Sequence, residues 1–229
     1  MIFKFNKVQI FLMIFFTLIS CKDLNGNNEK FTVKKDSFFT KKDSKDVIET
    51  KNNKEQTLKQ KNSIGVLSLK EGYNDAKIIL YNRDGTIWKS FIITDSFEDN
   101  QIIPFALKSD DRLLVFQVFD VTDLFYLVKV DERKNLFKFI KKSDNSFVYE
   151  LWEKHILKVF SVDFDYKLNP QRQEPDNDSK KCSYDKEQFY HPIKVKNEWL
   201  MIKDDDDNES WIKWKNNTGS LLITLYYSA

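Results

Sequence analysis

Lys77-Ile78-Ile79-Leu80-Tyr81, then Asn82-Arg83-Asp84-Gly85, then Thr86-Ile87-Trp88-Lys89-Ser90-Phe91-Ile92-Ile93 decide the fold class. Two runs rich in β-branched and aromatic residues flank a short polar cluster ending in Gly. A left-handed glycine at that place closes a hairpin with a bulge. Working outward, Arg112 to Phe119, Leu124 to Val130 and Leu136 to Ile140 repeat the pattern, with polar breaks at Thr122-Asp123 and Asp131 to Asn135. These runs are apolar at consecutive positions, as expected of strands covered on both faces. Residues 64–140 therefore predict an antiparallel sandwich or a strongly curled sheet. Val148, Leu151, Trp152, His155 and Ile156 follow helical spacing, so a short amphipathic helix is expected to close a β-rich domain spanning 64–157.

Composition agrees with a mainly β chain. Aromatic residues make up 15% of the 229 positions, against 5 Gly and 4 Pro. The 37 Lys and Arg nearly balance the 35 Asp and Glu, which argues against a nucleic-acid surface, since phosphate binding needs a cationic excess. Two cysteines supply neither a disulfide scaffold nor a four-cysteine zinc site.

The start of the chain has a different character. Lys4 and Lys7 precede an apolar run from Val8 to Ile19, broken only by Gln9 and Thr17. At about 1.5 Å per residue that run reaches roughly 18 Å, well short of the ~30 Å hydrocarbon core. A cleaved export signal is expected. Leu18-Ile19-Ser20-Cys21 resembles the lipobox of bacterial lipoproteins. The resemblance implies cleavage between Ser20 and Cys21, diacylglycerol on the Cys21 thiol and acylation of the new amine, which together anchor the chain durably. Lys22, not Asp, follows the cysteine, which under the lipoprotein sorting rule points away from inner-membrane retention. Cys21-Lys22-Asp23 partly resembles a lipoprotein surface-export signal. The expected location is the cell envelope, at the outer membrane, on its periplasmic face or the cell surface. Removing residues 1–20 leaves equal numbers of basic and acidic side chains.

Residues 21–63 read as the lipidated N-terminus and a disordered tether, with 11 Lys and 7 acidic residues after Cys21 and no sustained period. As a flexible coil it would span about 36 Å.

A second resemblance begins past Val159. Asn169-Pro170-Gln171-Arg172-Gln173-Glu174-Pro175, followed by Ser179, resembles the N-x-R-x-x-P segment and trailing Ser of bacterial SH3-like domains. Val195-Lys196-Asn197-Glu198-Trp199-Leu200-Met201-Ile202 and Ser210-Trp211-Ile212-Lys213-Trp214 resemble two successive strands of that family. Family members usually carry Gly where Asn197 and Ser210 stand. The resemblance implies a C-terminal SH3-like β-barrel over 158–229 that binds peptides, often of the cell wall. Residues 64–157 carry no family resemblance. Read from the residues alone, Trp199 to Lys203 and Trp211 to Lys215 are strands joined by Asp204 to Ser210, and Ser220 to Tyr227 is the last strand. A one-residue slip would exchange the faces of Trp199, Trp211 and Trp214.

No catalytic constellation stands out. Asp204-Asp205-Asp206-Asp207-Asn208-Glu209 lacks the Gly and the terminal Glu of an EF-hand loop and reads as a solvated turn, so no metal site is expected. Cys182 and His191 could pair as an activated thiol, yet Cys182 sits in a polar loop and reads as a plain thiol. There is no glycine-rich phosphate loop, H-E-x-x-H or nucleophile elbow, and no cofactor is implied. The expectation is a non-catalytic, lipid-anchored envelope protein, with Tyr190, Trp199 and Trp211 as exposed ligand-binding candidates. Its partner would be a cell-wall peptide or glycan, or an envelope protein. An immunity or inhibitor lipoprotein against a toxin or lytic enzyme is the alternative, and a cell-wall hydrolase the third reading.

Overall fold

Strand β1 (Gly65–Leu69) is followed by β2 (Ile78–Tyr81), β3 (Ile87–Phe91), β4 (Ala106–Lys108), β5 (Leu113–Val121), β6 (Phe125–Asp131), β7 (Leu136–Lys141) and β8 (Phe147–Leu151). Helix α1 (Trp152–Ile156) leads to β9 (Ser161–Phe164), β10 (His191–Lys196), β11 (Trp199–Lys203), β12 (Glu209–Lys213) and β13 (Ile223–Tyr226). This computed structural model describes residues 61–73 and 77–228, which lie within one contact unit. The expected signal peptide, Ser20, Cys21 and the tether up to residue 60 fall outside the described residues.

The described residues are mainly β, with antiparallel sheets and one short helix. The first sheet runs β3-β2-β7-β6-β5-β1-β8, with β4 added along β5. Its β2–β3 hairpin forms as the sequence predicts. Asn82 N–H donates to Thr86 O at 2.8 Å, Gly85 has φ +82°, and the register shifts between Leu80 and Tyr81. Strand β1 comes first in the chain but inserts between β5 and β8, so neighbouring side chains enter opposite layers. Val66 joins a core with Val115, Ile156, Val162, Leu200, Trp214 and Leu225, while Leu67 joins another with Ile78, Leu114, Phe116, Val128 and Ile140. Burying each such side chain stabilises by about 1.5–3 kcal/mol. The first core draws residues from both sides of position 157, so the two segments share buried apolar surface.

The C-terminal strands form a three-stranded sheet, β10-β11-β12, and a pair, β13-β9. No closed barrel forms among the described residues. Isolated bridges do link the small sheets, Val162 to Tyr190 and Lys215 to Leu221. Asn197 adopts φ +55°, a left-handed position that Asn tolerates, whereas Ser210 sits inside β12 without positive φ.

Two expectations change. The helix expected from Val148 is cut to five residues, because Phe147 to Leu151 pair with Leu69 to Gly65 as β8. That pairing satisfies long-range backbone hydrogen bonds and overrides the local period, leaving Val148 and Leu151 exposed. The end of the expected tether is also ordered: Lys61 pairs with Asp120 at 3.3 Å, and Ser63 Oγ accepts from Trp152 Nε1 at 2.9 Å.

Close packing of β1 on β8 leaves no room at Gly65, where a Cβ would lie 2.3 Å from Glu150 O. Gly65→Ala is expected to cost about 1–3 kcal/mol, as overpacking does. Urea unfolding midpoints measure this, and an unchanged midpoint would contradict the approach described.

Candidate functional site

Three tyrosines from different parts of the C-terminal segment stack beside β9. The Tyr166 and Tyr184 rings lie 4.7 Å apart and 3° from parallel; Tyr184 and Tyr190 follow at 5.7 Å and 16°. Phe164 meets both Tyr184 and Tyr190 edge-on, at 5.6 and 5.3 Å. Tyr166 ends the stack at 45% exposure, Tyr184 is half-buried and Tyr190 is buried. The Tyr190 hydroxyl donates to Asp185 O at 2.9 Å and accepts from Asp185 N–H at 3.0 Å, which fixes the loop that presents Tyr184. Burial, then Asp163 and its neighbours, push the Tyr184 hydroxyl above its ordinary range. The stack therefore offers an outward aromatic ring backed by two more, a surface suited to a flat apolar or cationic group.

The three rings singled out from sequence are not exposed. Tyr190, Trp199 and Trp211 are 5%, 6% and 7% accessible. Tyr190 backs the stack. Register decides the tryptophans: Leu200 faces Ile212 and Met201 faces Trp211 across β11 and β12, so Trp214 turns to the shared core and Trp199 and Trp211 to the other face. There the Lys213 ammonium lies 5.2 Å over the Trp199 ring. Tyr166 and Tyr184 were missed because neither lies in a strand run. The available signal was a bulky aromatic residue isolated in a polar loop.

The Asn169 to Pro175 segment anchors the loop that follows β9. The Asn169 amide donates to Lys213 O at 2.6 Å and accepts from Lys213 N–H at 2.9 Å, mimicking a strand partner. Gln171 accepts from the Ser210 hydroxyl at 2.9 Å. Arg172 exchanges two backbone hydrogen bonds with Trp211, both 2.8 Å, and its guanidinium donates to Ser179 O at 2.7 Å. Ser179 Oγ in turn accepts from Glu174 N–H at 2.9 Å.

The remaining chemical candidates are occupied in structural contacts. His191 places Nδ1 2.7 Å from Phe160 O and Nε2 3.3 Å from Asp205, so neither nitrogen addresses Cys182. Burial pushes the Cys182 thiol up, opposite to what a thiolate nucleophile needs. In the acidic turn, Asp204 Oδ1 accepts from the backbone N–H groups of Asp206 and Asn208, and Asp207 takes φ +66°. No group of His, Cys, Asp and Glu among the described residues is arranged to hold a metal ion.

A buried polar row ties α1 to the last strand. Glu150 accepts from Lys158 and, at 3.1 Å, from Lys154; His155 Nδ1 lies 3.6 Å from Glu150 and Nε2 2.9 Å from the Tyr227 hydroxyl. Burial alone would raise the Glu150 carboxyl, but the two lysines outweigh it and hold it below the usual range. Burial pushes His155 down despite the nearby carboxylate, and pushes Tyr227 up. No protein-family model matches this chain, and no curated protein matches it.

Two consequences can be measured. Asn169→Ala strips both Lys213 backbone groups of their partner and is expected to cost about 1–3 kcal/mol in thermal or urea unfolding. Because the folded state lowers the His155 pKa, its contribution is complete above the unfolded value of about 6.5 and is lost as pH falls through the folded value. Stability measured against pH should decline on acidification below about 6.5, and His155→Gln should flatten that part of the curve.

Proposed function

We propose that this chain is a lipid-anchored cell-envelope protein with a non-catalytic binding role, whose partner is a cell-wall peptide or glycan or an envelope protein. The observation that carries the binding role is the tyrosine stack. An aromatic ring left 45% exposed at Tyr166, held parallel to Tyr184 and braced by a hydroxyl-locked Tyr190, is a preorganised face on which a ligand can stack. The Leu18-Ile19-Ser20-Cys21 motif supports anchoring through Cys21, with the membrane engaged by lipid.

An SH3-like description of residues 158–229 belongs to the same reading. Supporting it are the strand sequence β9 to β13, the bridges at Val162–Tyr190 and Lys215–Leu221, and the use of Asn169, Arg172 and Ser179 as loop anchors. Binding would then fall to the loop after β9 and the turn before β10, where the stack lies.

Metabolic lipid labelling tests the anchor, and Cys21→Ser should abolish it; persistent labelling would refute the lipobox. For the binding role, crosslinking pull-down from intact cells should recover cell-wall fragments or an envelope protein. Tyr166→Ala should reduce that recovery at least tenfold without changing thermal stability. Recovery of one enzyme in stoichiometric complex would convert the reading to an inhibitor, and unchanged recovery would remove the tyrosine stack from it.

A further inference from the structure

We propose that a cleft on the first sheet, separate from the tyrosine stack, binds a neutral sugar. The cleft encloses about 240 Å³. That is below the roughly 300–1,000 Å³ of pockets for drug-sized ligands, so it suits one sugar ring more than a long chain.

Strand register builds its floor. Val66 of β1 lies opposite Gln117 of β5, Gln117 opposite Lys129 of β6, and Lys129 opposite Phe137 of β7. Directly opposed residues share one face, so these four form a row across the sheet. At Val66 the face is covered by the core shared with the C-terminal strands. One strand further out it changes to an amide and an ammonium. The register shift between Val118 and Asp120 makes Phe119 the extra residue of a bulge, and its ring meets Phe137 edge-on at 4.9 Å. The rest of the lining comes from two segments in contact with each other, Lys61 to Ser63 and Gly219 to Leu221, where Ser220 Oγ donates to Asn62 Oδ1 at 3.3 Å.

The polar groups on this floor are only partly satisfied by protein. Gln117 is half-buried, and its amide makes no hydrogen bond among the described residues; the amide of Asn135, at the cleft edge, makes none either. The Lys129 side chain is only 12% exposed, 3.0 Å from Glu132 Oε2 and 5.0 Å over the Phe119 ring. An ammonium has three donors, so donors remain. The other Glu132 oxygen is buried without a hydrogen-bond partner.

Charge selects the ligand class. Each lysine of the cleft already faces a carboxylate, Lys129 with Glu132 and Lys61 with Asp120. No uncompensated positive charge is left for an anion. What remains is a set of amides and a hydroxyl that both donate and accept, beside the ring of Phe137. Adjacent sugar hydroxyls also donate and accept, and the C–H face of the ring packs against an aromatic side chain.

Saturation-transfer NMR on the purified full chain, with methyl glucoside, N-acetylglucosamine and glucuronate as probes, tests this. At least one neutral sugar should receive saturation. Gln117→Leu and Lys129→Met should each weaken its titrated affinity tenfold or more. Thermal unfolding checks that the variants fold; if Lys129→Met does not, Gln117→Leu decides, since its amide makes no hydrogen bond among the described residues. Transfer to glucuronate alone, transfer to no probe, or affinity unaltered in Gln117→Leu would overturn the proposal.

Discussion

Strand β1 is hydrogen-bonded along both edges and buried on both faces, and the other layers are arranged around it. Gly65 to Ser68 pair with Val118 to Val115 on one edge, and Gly65 to Leu69 pair with Leu151 to Phe147 on the other. Val66 and Leu67 are fully buried and point into different cores. A strand near the start of the described residues thus closes a sheet whose remaining members come later, and it brings α1 and the C-terminal strands onto that sheet. Such pairing is non-local and entropically expensive to close. It is stable because one short strand contributes to two apolar layers at once. The absent side chain at Gly65 permits the β8 backbone to come close enough.

The turns show how a chain with only 5 Gly makes so many reversals. At several turns an Asp or Asn side chain accepts backbone N–H groups two or three residues on. Asp131 does so from Arg133 and Lys134, Asp144 from Ser146, Asp204 from Asp206, and Asn216 from Thr218. Asn135, Asn197 and Asp207 then take the left-handed positions that glycine would otherwise fill. For Asp131 burial alone would raise the carboxyl, yet the N–H groups of Lys134 and Arg133 hold it low, so a fully buried charge is kept ionised by its own turn. The abundance of Asp and Asn in this sequence is accordingly structural before it is chemical.

The same division runs through the aromatic residues. Most of the Trp, Phe and Tyr side chains named above serve as packing, and those on alternate strand positions do so by register. The more exposed rings of the tyrosine stack lie instead in loops held by polar anchors: Tyr166 and Tyr184 in the segment that Asn169, Arg172 and Tyr190 tie down. Rigid support behind an exposed ring lowers the entropy lost when a ligand is ordered against it.

Sequence reading alone determined features that depend on near neighbours. The Asn82 to Gly85 hairpin, strand β11 from Trp199 to Lys203 and the mainly β class follow from residue type and spacing of two. Tertiary structure alone decided the rest. Helical spacing from Val148 to Ile156 lost to β8 because a partner strand some eighty residues earlier supplied hydrogen bonds that the local pattern could not display. Tyr190, Trp199 and Trp211, the candidates for an exposed binding face, are buried instead. Their burial was settled by cross-strand register and by a loop folding back on β12, neither of which leaves a local trace in the sequence.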